Sequence, residues 1–341
     1  MRSKKSISIG TAIISISLVF ISLVTNAGTY YVSNDGNDSN SGNSPQNAWA
    51  TIERVNSQPF QPGDKILFNR GGSWYGQLIP VSGSPSGHVT YGAYGSGSKP
   101  LLHQSVELGN AGDWVKTGSN TWSSVNTLPY DVGSIIFNDG QSFGSKKWSQ
   151  GGLSSQGDFY YDTSDNKAKV YSASNPAVYY SKVRLALTKH IIEEQNRNYI
   201  IYENLALKYT GAHAIRGGNT HHIIVRGCDI AYIGGGRHGS GQNRYGNGVE
   251  FWGEAHDNLV ENCKIWEVYD AAVTNQSTTS CTQENIIYKN NIIWDCEYSF
   301  EFFNYPASST TKNIQFINNT CLGAGYGWGH SQRPDPSGRH V

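Results

Sequence analysis

The fold is decided by residues 198–341, which repeat a pattern of two short strand-like runs and a polar turn. The first runs of successive repeats are YIIYENLALKY (199–209), HIIVRGCDIAY (222–232), NLVENCKIWEV (258–268), NIIYKNNIIWD (285–295) and NIQFINNTCLG (313–323). The shorter second runs are AHAIRGG (212–218), NGVEFWG (247–253), AAVTNQS (271–277), YSFEFFN (298–304) and YGWGHSQ (326–332). Alternating β-branched and aromatic residues make these runs strands. A repeat of this length, built of strands, predicts a solenoid.

Stacking the repeats predicts columns of like residues, because neighbouring parallel strands lie about 4.8 Å apart. One inward column is predicted to contain Ile215, Val249, Val273, Phe300 and Trp328, and a second contains Phe251 and Phe302. The turn positions align at Asn204, Gly227, Asn262, Asn290 and Asn318. We expect the amides of Asn262, Asn290 and Asn318 to form a structural ladder at one corner of the coil.

The repeat is preceded by TYYVSNDGNDSNSGNSPQNAWATIERVN (29–56) and PGDKILFNRGGSWYG (62–76). Together with the stacked repeats, these two segments resemble the sequences of secreted right-handed parallel β-helix proteins of the pectin-lyase-like fold. That superfamily contains polysaccharide lyases, glycoside hydrolases and epimerases. The resemblance implies an all-β chain that forms a right-handed parallel β-helix. It leaves the reaction open, because the NTD, DD, GHG, RIK and RxPxxR motifs of known subfamilies are absent.

The first 27 residues are typical of a secretory signal peptide, with Arg2, Lys4 and Lys5 before an apolar run and small residues at its end. Residues 28–341 are expected to form one domain that is secreted, either outside the cell or into the periplasm. The chain has 26 basic and 26 acidic residues, so nothing indicates a nucleic acid or a membrane surface as partner. Low charge, many glycines and many aromatic residues suit an extracellular β protein.

Three features fall outside the regular coil. The segment AWATIERVN (48–56) is predicted to be a short helix that caps the N-terminal end. Residues 109–186 lose the repeat and show hairpin spacing, which predicts an antiparallel insertion. The last repeat is as apolar as the inner ones, and only PDPSGRHV (334–341) follows it, so we expect the solenoid to continue beyond this sequence or to be capped by a partner.

Neither cysteines nor a calcium-type loop indicates a metal site. The five cysteines include no CxxC pair; buried free thiols are favoured over a bridge between Cys228 and Cys263. The stretch from Asp35 to Ser39 resembles a calcium loop but lacks its closing glutamate, and a plain turn is the better interpretation. No cofactor is expected, with Ca²⁺ kept as an alternative below.

Residues beside the inward column must point outward, and they define a candidate groove. Ala214, Gly248, Ala272, Ser299 and Gly327 form its floor, while Arg216, Glu250, Thr274, Glu301 and Gly329 form the next column. Two residues further lie Trp252, Gln276, Phe303 and Ser331, and Asp270 and Glu297 share another position. Carboxylates beside exposed aromatic rings suit a sugar chain. We predict Glu250, Asp270 and Glu301 as catalytic carboxylates, with Arg216, Trp252, Gln276 and Phe303 as substrate contacts; a surface charge ladder is the competing interpretation.

Basic side chains on two loops extend this candidate site. Residues 234–247 include Arg244 and Tyr245, and residues 330–340 include His330, Arg333, Arg339 and His340. Arg244, Tyr245, His330 and Arg333 are predicted to contact substrate. For elimination from a uronate, Tyr245, Tyr269 or His330 would act as base, and Arg244 or Arg333 would neutralise the carboxylate. A Ca²⁺ held by Glu250, Asp270 and Glu301 could take the place of the arginine.

Three functions follow from this pattern. Hydrolysis of a polysaccharide is slightly favoured, because carboxylates outnumber bases in the outward columns and pairs among Glu250, Asp270 and Glu301 can meet the spacing of an acid and a base. β-Elimination on a uronate-containing polymer is the second, and a non-catalytic sugar-binding or adhesin coil is the third. We expect a monomer whose partner is an extracellular polysaccharide.

Overall fold

The computed structural model describes residues 27–333. The predicted signal peptide, apart from Ala27, lies outside the described residues, as do Arg339, His340 and the rest of the final segment 334–341. The N-terminal part contains one helix, α1 (Ile52–Asn56), and five strands: β1 (Thr29–Val32), β2 (Lys65–Asn69), β3 (Ser73–Tyr75), β4 (Val89–Tyr94) and β5 (Leu101–His103).

A middle part separates this segment from the main repeat. It contains the helix α2 (Pro176–Tyr179) and the strands β6 (Ser105–Glu107), β7 (Trp114–Lys116), β8 (Thr121–Ser124), β9 (Val132–Phe137), β10 (Ser142–Phe143), β11 (Ser145–Lys146), β12 (Asp158–Asp162), β13 (Lys167–Tyr171) and β14 (Val183–Leu187). Apart from the parallel β11–β12 pair, these strands pair antiparallel with one another, in a four-stranded and a five-stranded sheet. They enclose an apolar cluster of their own, with Phe137 and Phe159 fully covered.

The repeat supplies the remaining strands: β15 (Ile192–Glu193), β16 (Asn198–Glu203), β17 (Ala206–Thr210), β18 (Ile215–Arg226), β19 (Asp229–Ile233), β20 (Gly236–Arg237), β21 (Arg244–Tyr245), β22 (Val249–Glu261), β23 (Lys264–Val268), β24 (Ala271–Ser277), β25 (Thr282–Lys289), β26 (Ile292–Trp294), β27 (Tyr298–Asn304), β28 (Thr310–Ile317) and β29 (Thr320–Leu322). Short 3-10 turns occupy Pro45–Asn47, Ala111–Asp113, Asn138–Gly140, Gln150–Gly152 and His330–Gln332.

Two long parallel sheets make the coil. One has eleven strands and runs in the order β1-β2-β4-β16-β18-β22-β24-β27, with β15, β25 and β28 joined to it. The other has seven, in the order β29-β26-β23-β19-β17-β5-β3. Strands from successive repeats lie side by side in parallel register, as in Ile215↔Val249 and Val249↔Val273. The parallel β-helix predicted from the sequence is confirmed.

The inward column is correct for its first members and wrong for its last. Ile215, Val249 and Val273 are completely buried, and Phe300 packs against the same core. Trp328, however, lies in a turn and packs on Phe143 and Tyr269, with ring centroids 5.4 Å and 5.5 Å away. The segment 326–332 therefore folds back toward the middle part and is not a rung of the coil. Phe302 follows the column of Phe251 and Asn275 but remains 47% exposed.

The asparagine ladder forms one residue later than predicted. Asn204, Gly227, Asn262, Asn290 and Asn318 all have positive φ, so their role is to turn the backbone through the left-handed region. The stacked amides belong to Asn291 and Asn319: the backbone N–H of Cys263 donates to Asn291 Oδ1 over 2.9 Å, and Asn291 Nδ2 donates to Asn319 Oδ1 over 3.0 Å. The buried amide of Asn291 thus satisfies backbone groups at the corner.

The N-terminal cap is present, although its helix is shorter than predicted. The helix α1 begins at Ile52 and buries Ile52 and Val55, whereas Trp49 precedes the helix and bridges to Val32. Asp38 accepts hydrogen bonds from the N–H groups of Ala50 and Thr51 and from the Thr51 hydroxyl. Asp38 therefore fixes the start of the helix, and the turn interpretation of residues 35–39 fits this arrangement. Within residues 27–333, no helix is long and apolar enough to cross a membrane.

Candidate active site

A pocket of about 460 Å³ lies on the outer side of the eleven-stranded sheet, a volume within the range of small-molecule sites. Its walls include several predicted site residues, namely Arg216, Tyr245, Glu250, Trp252, Asp270 and Gln276. They also include residues that the sequence analysis did not select, among them His190, Gln195, His213, Asn219, His238 and Asn247. The column Arg216–Glu250–Thr274–Glu301 has the predicted register across β18, β22, β24 and β27.

Glu250 lies in the wall of this pocket and is only 6% exposed. Asn247 Nδ2 donates to Glu250 Oε2 over 2.8 Å. Burial raises the pKa of Glu250 to about 7, although the Asn247 amide and the charge of Arg216 oppose the rise. Glu250 therefore holds its proton well into the neutral range, as a general acid must.

Two stacked histidines support Glu250 from the preceding rungs. The rings of His190 and His213 are parallel, with centroids 5.0 Å apart. The backbone N–H of Asn247 donates to His213 Nδ1 over 2.9 Å, so the ring proton of neutral His213 is on Nε2, which lies 3.5 Å from Glu250 Oε1. Burial lowers the pKa of His213 to about 3, which keeps this ring neutral. His213 therefore faces Glu250 as a neutral N–H group and not as a charged partner.

The loop 234–247 closes one side of the pocket. Its strands β20 and β21 pair antiparallel, and the N–H of Arg237 donates to Asp131 in the middle part over 3.0 Å. Gly246 has φ of 141°, and a Cβ there would come 2.1 Å from the Cα of Gly234, so this crossing requires glycine. Tyr245 then packs over His213, with centroids 5.0 Å apart. Burial raises the pKa of Tyr245 to about 12, so its phenol is neutral and a poor base at neutral pH.

Asp270 forms the far wall with a cluster of charged groups behind it. Arg333 lies 3.4 Å from Asp270 Oδ1 and 3.6 Å from Glu297 Oε1, and His330 Nδ1 lies 3.1 Å from Glu297 Oε2. Burial raises the pKa of Asp270, and the guanidinium of Arg333 opposes this rise. Arg333 and His330 thus contact Asp270 and Glu297, the two carboxylates that share one position in the repeat. The basic residues Arg333 and His330 do not line the main pocket.

Glu301 and the remaining predicted contacts lie at the edge of the site. Gln276 lines the pocket and donates to Glu301 Oε2 over 2.5 Å, whereas Glu301 itself lies behind this amide. Burial raises the pKa of Glu301 to about 7, and the charges of Asp270 and Glu250 contribute to the rise. Phe303 is 42% exposed and stacks on Tyr305, away from the main pocket.

Arg244 lies outside the main pocket. Its half-buried side chain donates to the carbonyl oxygens of Gly235 and Gly133, and its guanidinium lies 4.6 Å from the ring centre of Tyr269. These contacts tie the loop to the middle part and explain why Arg244 does not face the space beside Glu250. Arg216 does line the pocket and pairs with Glu193 over 2.8 Å.

The predicted Ca²⁺ ligands do not form a compact set. Among residues 27–333, the three-residue group whose ligand atoms all lie within 4.8 Å of one another is formed by histidines elsewhere on the coil. Glu250, Asp270 and Glu301 influence one another through their charges without converging in this way. The chemistry considered below therefore uses the carboxyl groups themselves.

No family model and no curated protein matches the chain. Among solved structures it is similar to the GH136 lacto-N-biosidase from Eubacterium ramulus, with 14% identity over 86% of this chain and 56% of that one and a TM-score of 0.43. It is also similar to XylC in complex with xylose, with 12% identity over 83% and 66% and a TM-score of 0.48. A third match is an alginate lyase from Paenibacillus sp., with 12% identity over 80% and 74% and a TM-score of 0.42. The chain thus spans between half and two thirds of the first two structures.

Proposed function

We propose that this protein is a secreted carbohydrate-active enzyme that hydrolyses glycosidic bonds of an extracellular polysaccharide. The observation that carries the proposal is the state of Glu250: a buried carboxyl group with its pKa raised to about 7, exposed to a pocket that also contains Asp270. Glycoside hydrolysis needs one carboxyl group that gives a proton and a second that acts as base or nucleophile. Glu250 is the proposed acid, and Asp270 is the proposed partner.

The two carboxyl groups have environments that suit these separate roles. Glu250 is buried beside the neutral His213 ring, and this burial favours its protonated form more strongly than the Asn247 amide opposes it. Burial also raises the pKa of Asp270, but Arg333 at 3.4 Å opposes this rise and favours the charged carboxylate. A buried carboxyl group without a cation in contact, beside a second carboxyl group that contacts a guanidinium, is the asymmetry expected of an acid and a base.

The rest of the pocket suits a sugar ring. Trp252 offers a half-buried indole on which the C–H face of a pyranose can stack, and Gln195, Asn219 and Gln276 offer amide groups for its hydroxyls. In this proposal Trp252 and Gln276 retain their predicted roles as substrate contacts. Glu301 acts through Gln276, which it orients, and Phe303 is left to contact a more distant part of the polymer.

Elimination is the second candidate, favoured by the two basic side chains Arg216 and His238 in the pocket. They could neutralise a uronate carboxylate and take up its C5 proton. The bases named from the sequence are poorly suited: Tyr245 has a pKa raised to about 12, and Tyr269 and His330 do not line this pocket. Hydrolysis therefore fits the residues better.

The test is incubation of the purified chain with a panel of neutral and uronate-containing polysaccharides. Reducing ends and ultraviolet absorbance of unsaturated products are measured on the same samples. Hydrolysis predicts new reducing ends without absorbance, and loss of the reducing-end signal in the variant Asp270→Asn. The matched control is Glu254→Gln, which changes an exposed carboxylate on β22 outside the pocket. Unsaturated products would establish elimination, and binding without any product would establish a sugar-binding coil.

A further inference from the structure

Three histidines from two adjacent rungs meet at the surface of the coil, beyond the pocket along the same strands. His221 and His222 lie on β18 and His256 lies on β22, with His221 and His256 directly paired in the register. Each offers one ring nitrogen, and these atoms all lie within 4.8 Å of one another. All three rings are partly accessible to solvent. Imidazole nitrogens from adjacent strands at this spacing are suitable ligands for Zn²⁺, Cu²⁺ or Ni²⁺.

The ring nitrogens already face one another. His221 Nδ1 and His222 Nδ1 are 3.0 Å apart, and the rings of His221 and His256 are parallel with centroids 4.6 Å apart. A contact between two neutral ring nitrogens uses a single proton, so a lone pair points into the space between the rings. A metal ion that replaced this proton would be bound by groups that are already close together.

Neighbouring side chains hold these rings in the way that surrounding residues hold metal ligands. His256 Nδ1 lies 2.8 Å from Asp257 Oδ2, and a proton shared there leaves His256 Nε2 free to bind an ion. Asn285 Nδ2 donates to the other oxygen of Asp257 over 3.1 Å. The ring of Tyr199 stacks on His222 with centroids 4.4 Å apart.

The backbone does not explain why a histidine occupies position 222. His222 has φ of 56°, in the left-handed region, at the corner where Asn285 and Asn313 also have positive φ. Asparagine or glycine serves such a corner at lower cost. Tyr199 has φ of 58° at the same corner on the preceding rung, so the corner accepts a ring, and the ring of His222 meets both His221 and His256.

We propose that His221, His222 and His256 bind one divalent transition-metal ion, with Zn²⁺ as the expected ion. The site would join β18 to β22 on the outside of the coil. It does not depend on the proposed hydrolysis, because none of the three histidines lines the pocket. Glu284 is the partner of His256 in the register on the next rung, β25.

The experiment uses the whole chain, prepared without a polyhistidine tag and stripped with EDTA. Zinc binding is measured by calorimetric titration and by metal analysis after gel filtration, and the melting temperature is recorded with Zn²⁺ and with EDTA. We expect one Zn²⁺ per chain and a higher melting temperature with zinc than with EDTA. The variants His222→Asn and His256→Gln should each weaken zinc binding at least about tenfold, since even the loss of a residue that only orients a ligand costs about 10–100-fold.

Asparagine at 222 suits the left-handed backbone, so this variant should keep the EDTA melting temperature of the parent chain. The control is His103→Asn, which removes a histidine of β5 that has Ser105 as its ring partner. Failure of the parent chain to retain stoichiometric zinc would overturn the proposal. So would undiminished binding in both cluster variants, or an equal loss of binding in the control.

Discussion

Asn247 and Glu250 are joined by a 2.8 Å hydrogen bond from the amide to the carboxyl group, and Asn247 also holds the two neighbouring rungs together. Its Oδ1 accepts a hydrogen bond from the N–H of Ala271 over 3.0 Å, and its backbone N–H donates to His213 Nδ1 over 2.9 Å. The side chain of Asn247 therefore positions the proposed acid, and its side-chain and backbone hydrogen bonds together join the strands around it. The protonation of Glu250 is therefore linked to the hydrogen bonds by which Asn247 joins neighbouring strands of the coil.

We expect hydrolytic activity to fall as pH rises through about 7, because Glu250 must carry its proton and has a pKa raised to about 7. The variant Asn247→Ala should move this limb to higher pH, since the amide that favours the carboxylate is lost. A profile of kcat/KM against pH measures the limb. Asn313→Ala, at an exposed corner, is the control and should leave it in place. If the fall in kcat/KM stayed at the same pH in Asn247→Ala, it would not report the titration of Glu250.

Stability should respond to pH through Glu194, a fully buried residue whose pKa burial raises to about 8. Below its ordinary pKa of 4.5, Glu194 is protonated in both folded and unfolded chains. Between about 4.5 and 8 only the unfolded chain releases the proton, so the free energy of unfolding falls by up to about 1.4 kcal/mol per pH unit. Glu194→Gln should remove this contribution. Urea unfolding at pH 5 and pH 8.5 should show the variant gaining stability relative to the parent at the higher pH; an equal difference at both would contradict the account.

The corner amide predicts a large effect from a small change. Asn291→Ala leaves the N–H of Cys263 and the carbonyl of Val260 without their partner. We expect the free energy of unfolding to fall by roughly 2–4 kcal/mol, the cost of buried polar groups left unpaired. Denaturant unfolding measures it, with Asn290→Gly as control because glycine also adopts the positive φ found there. Equal stability of both variants would show that the ladder contributes little.

Arg244 should act on stability and not on substrate binding. Arg244→Lys removes the planar contacts with Tyr269 and Trp328 and part of the hydrogen bonding to Gly133 and Gly235. We expect a loss of roughly 2–3 kcal/mol in unfolding free energy. Denaturant unfolding of the variant is compared with that of Arg237→Lys, which changes an exposed arginine of the same loop. A raised KM with unchanged stability would restore the role in substrate binding predicted from the sequence.

The sequence predicts the coil well because alternation and repeat length directly express strand geometry and stacking. The register of Arg216, Glu250 and Glu301 follows from simple alignment of the repeats. The segment around Trp328 imitates a rung in composition, yet its ring packs on Phe143 and Tyr269, a contact that no local pattern reveals. The predicted amide ladder is one residue too early, because Asn290 and Asn291 are adjacent in the sequence. Only the folded backbone determines that Asn290 turns the chain and that Asn291 stacks on Asn319.

The depth of the pocket could not be predicted, because it depends on long-range contacts. Glu250 is buried by a loop that Asp131 and Arg244 fasten to the middle part, and residues so distant carry no shared motif. His213 lies two residues before Ile215 in the aligned repeat, but its role at the site depends on the hydrogen bond with Asn247. The histidine cluster did leave a signal: aligning the repeats places His221 beside His256, next to His222.

The central claim, that Glu250 is the general acid of a glycoside hydrolase, is tested most directly with the variant Glu250→Gln on two substrates. One is the polysaccharide identified from the panel, and the other is its aryl glycoside with a strongly acidic phenol as leaving group. The account predicts a loss of about 10²–10⁴-fold in kcat on the polysaccharide. It predicts a far smaller loss on the aryl glycoside, because its phenolate leaving group departs without a proton. Equal losses on both substrates, or full activity on the polysaccharide, would contradict it.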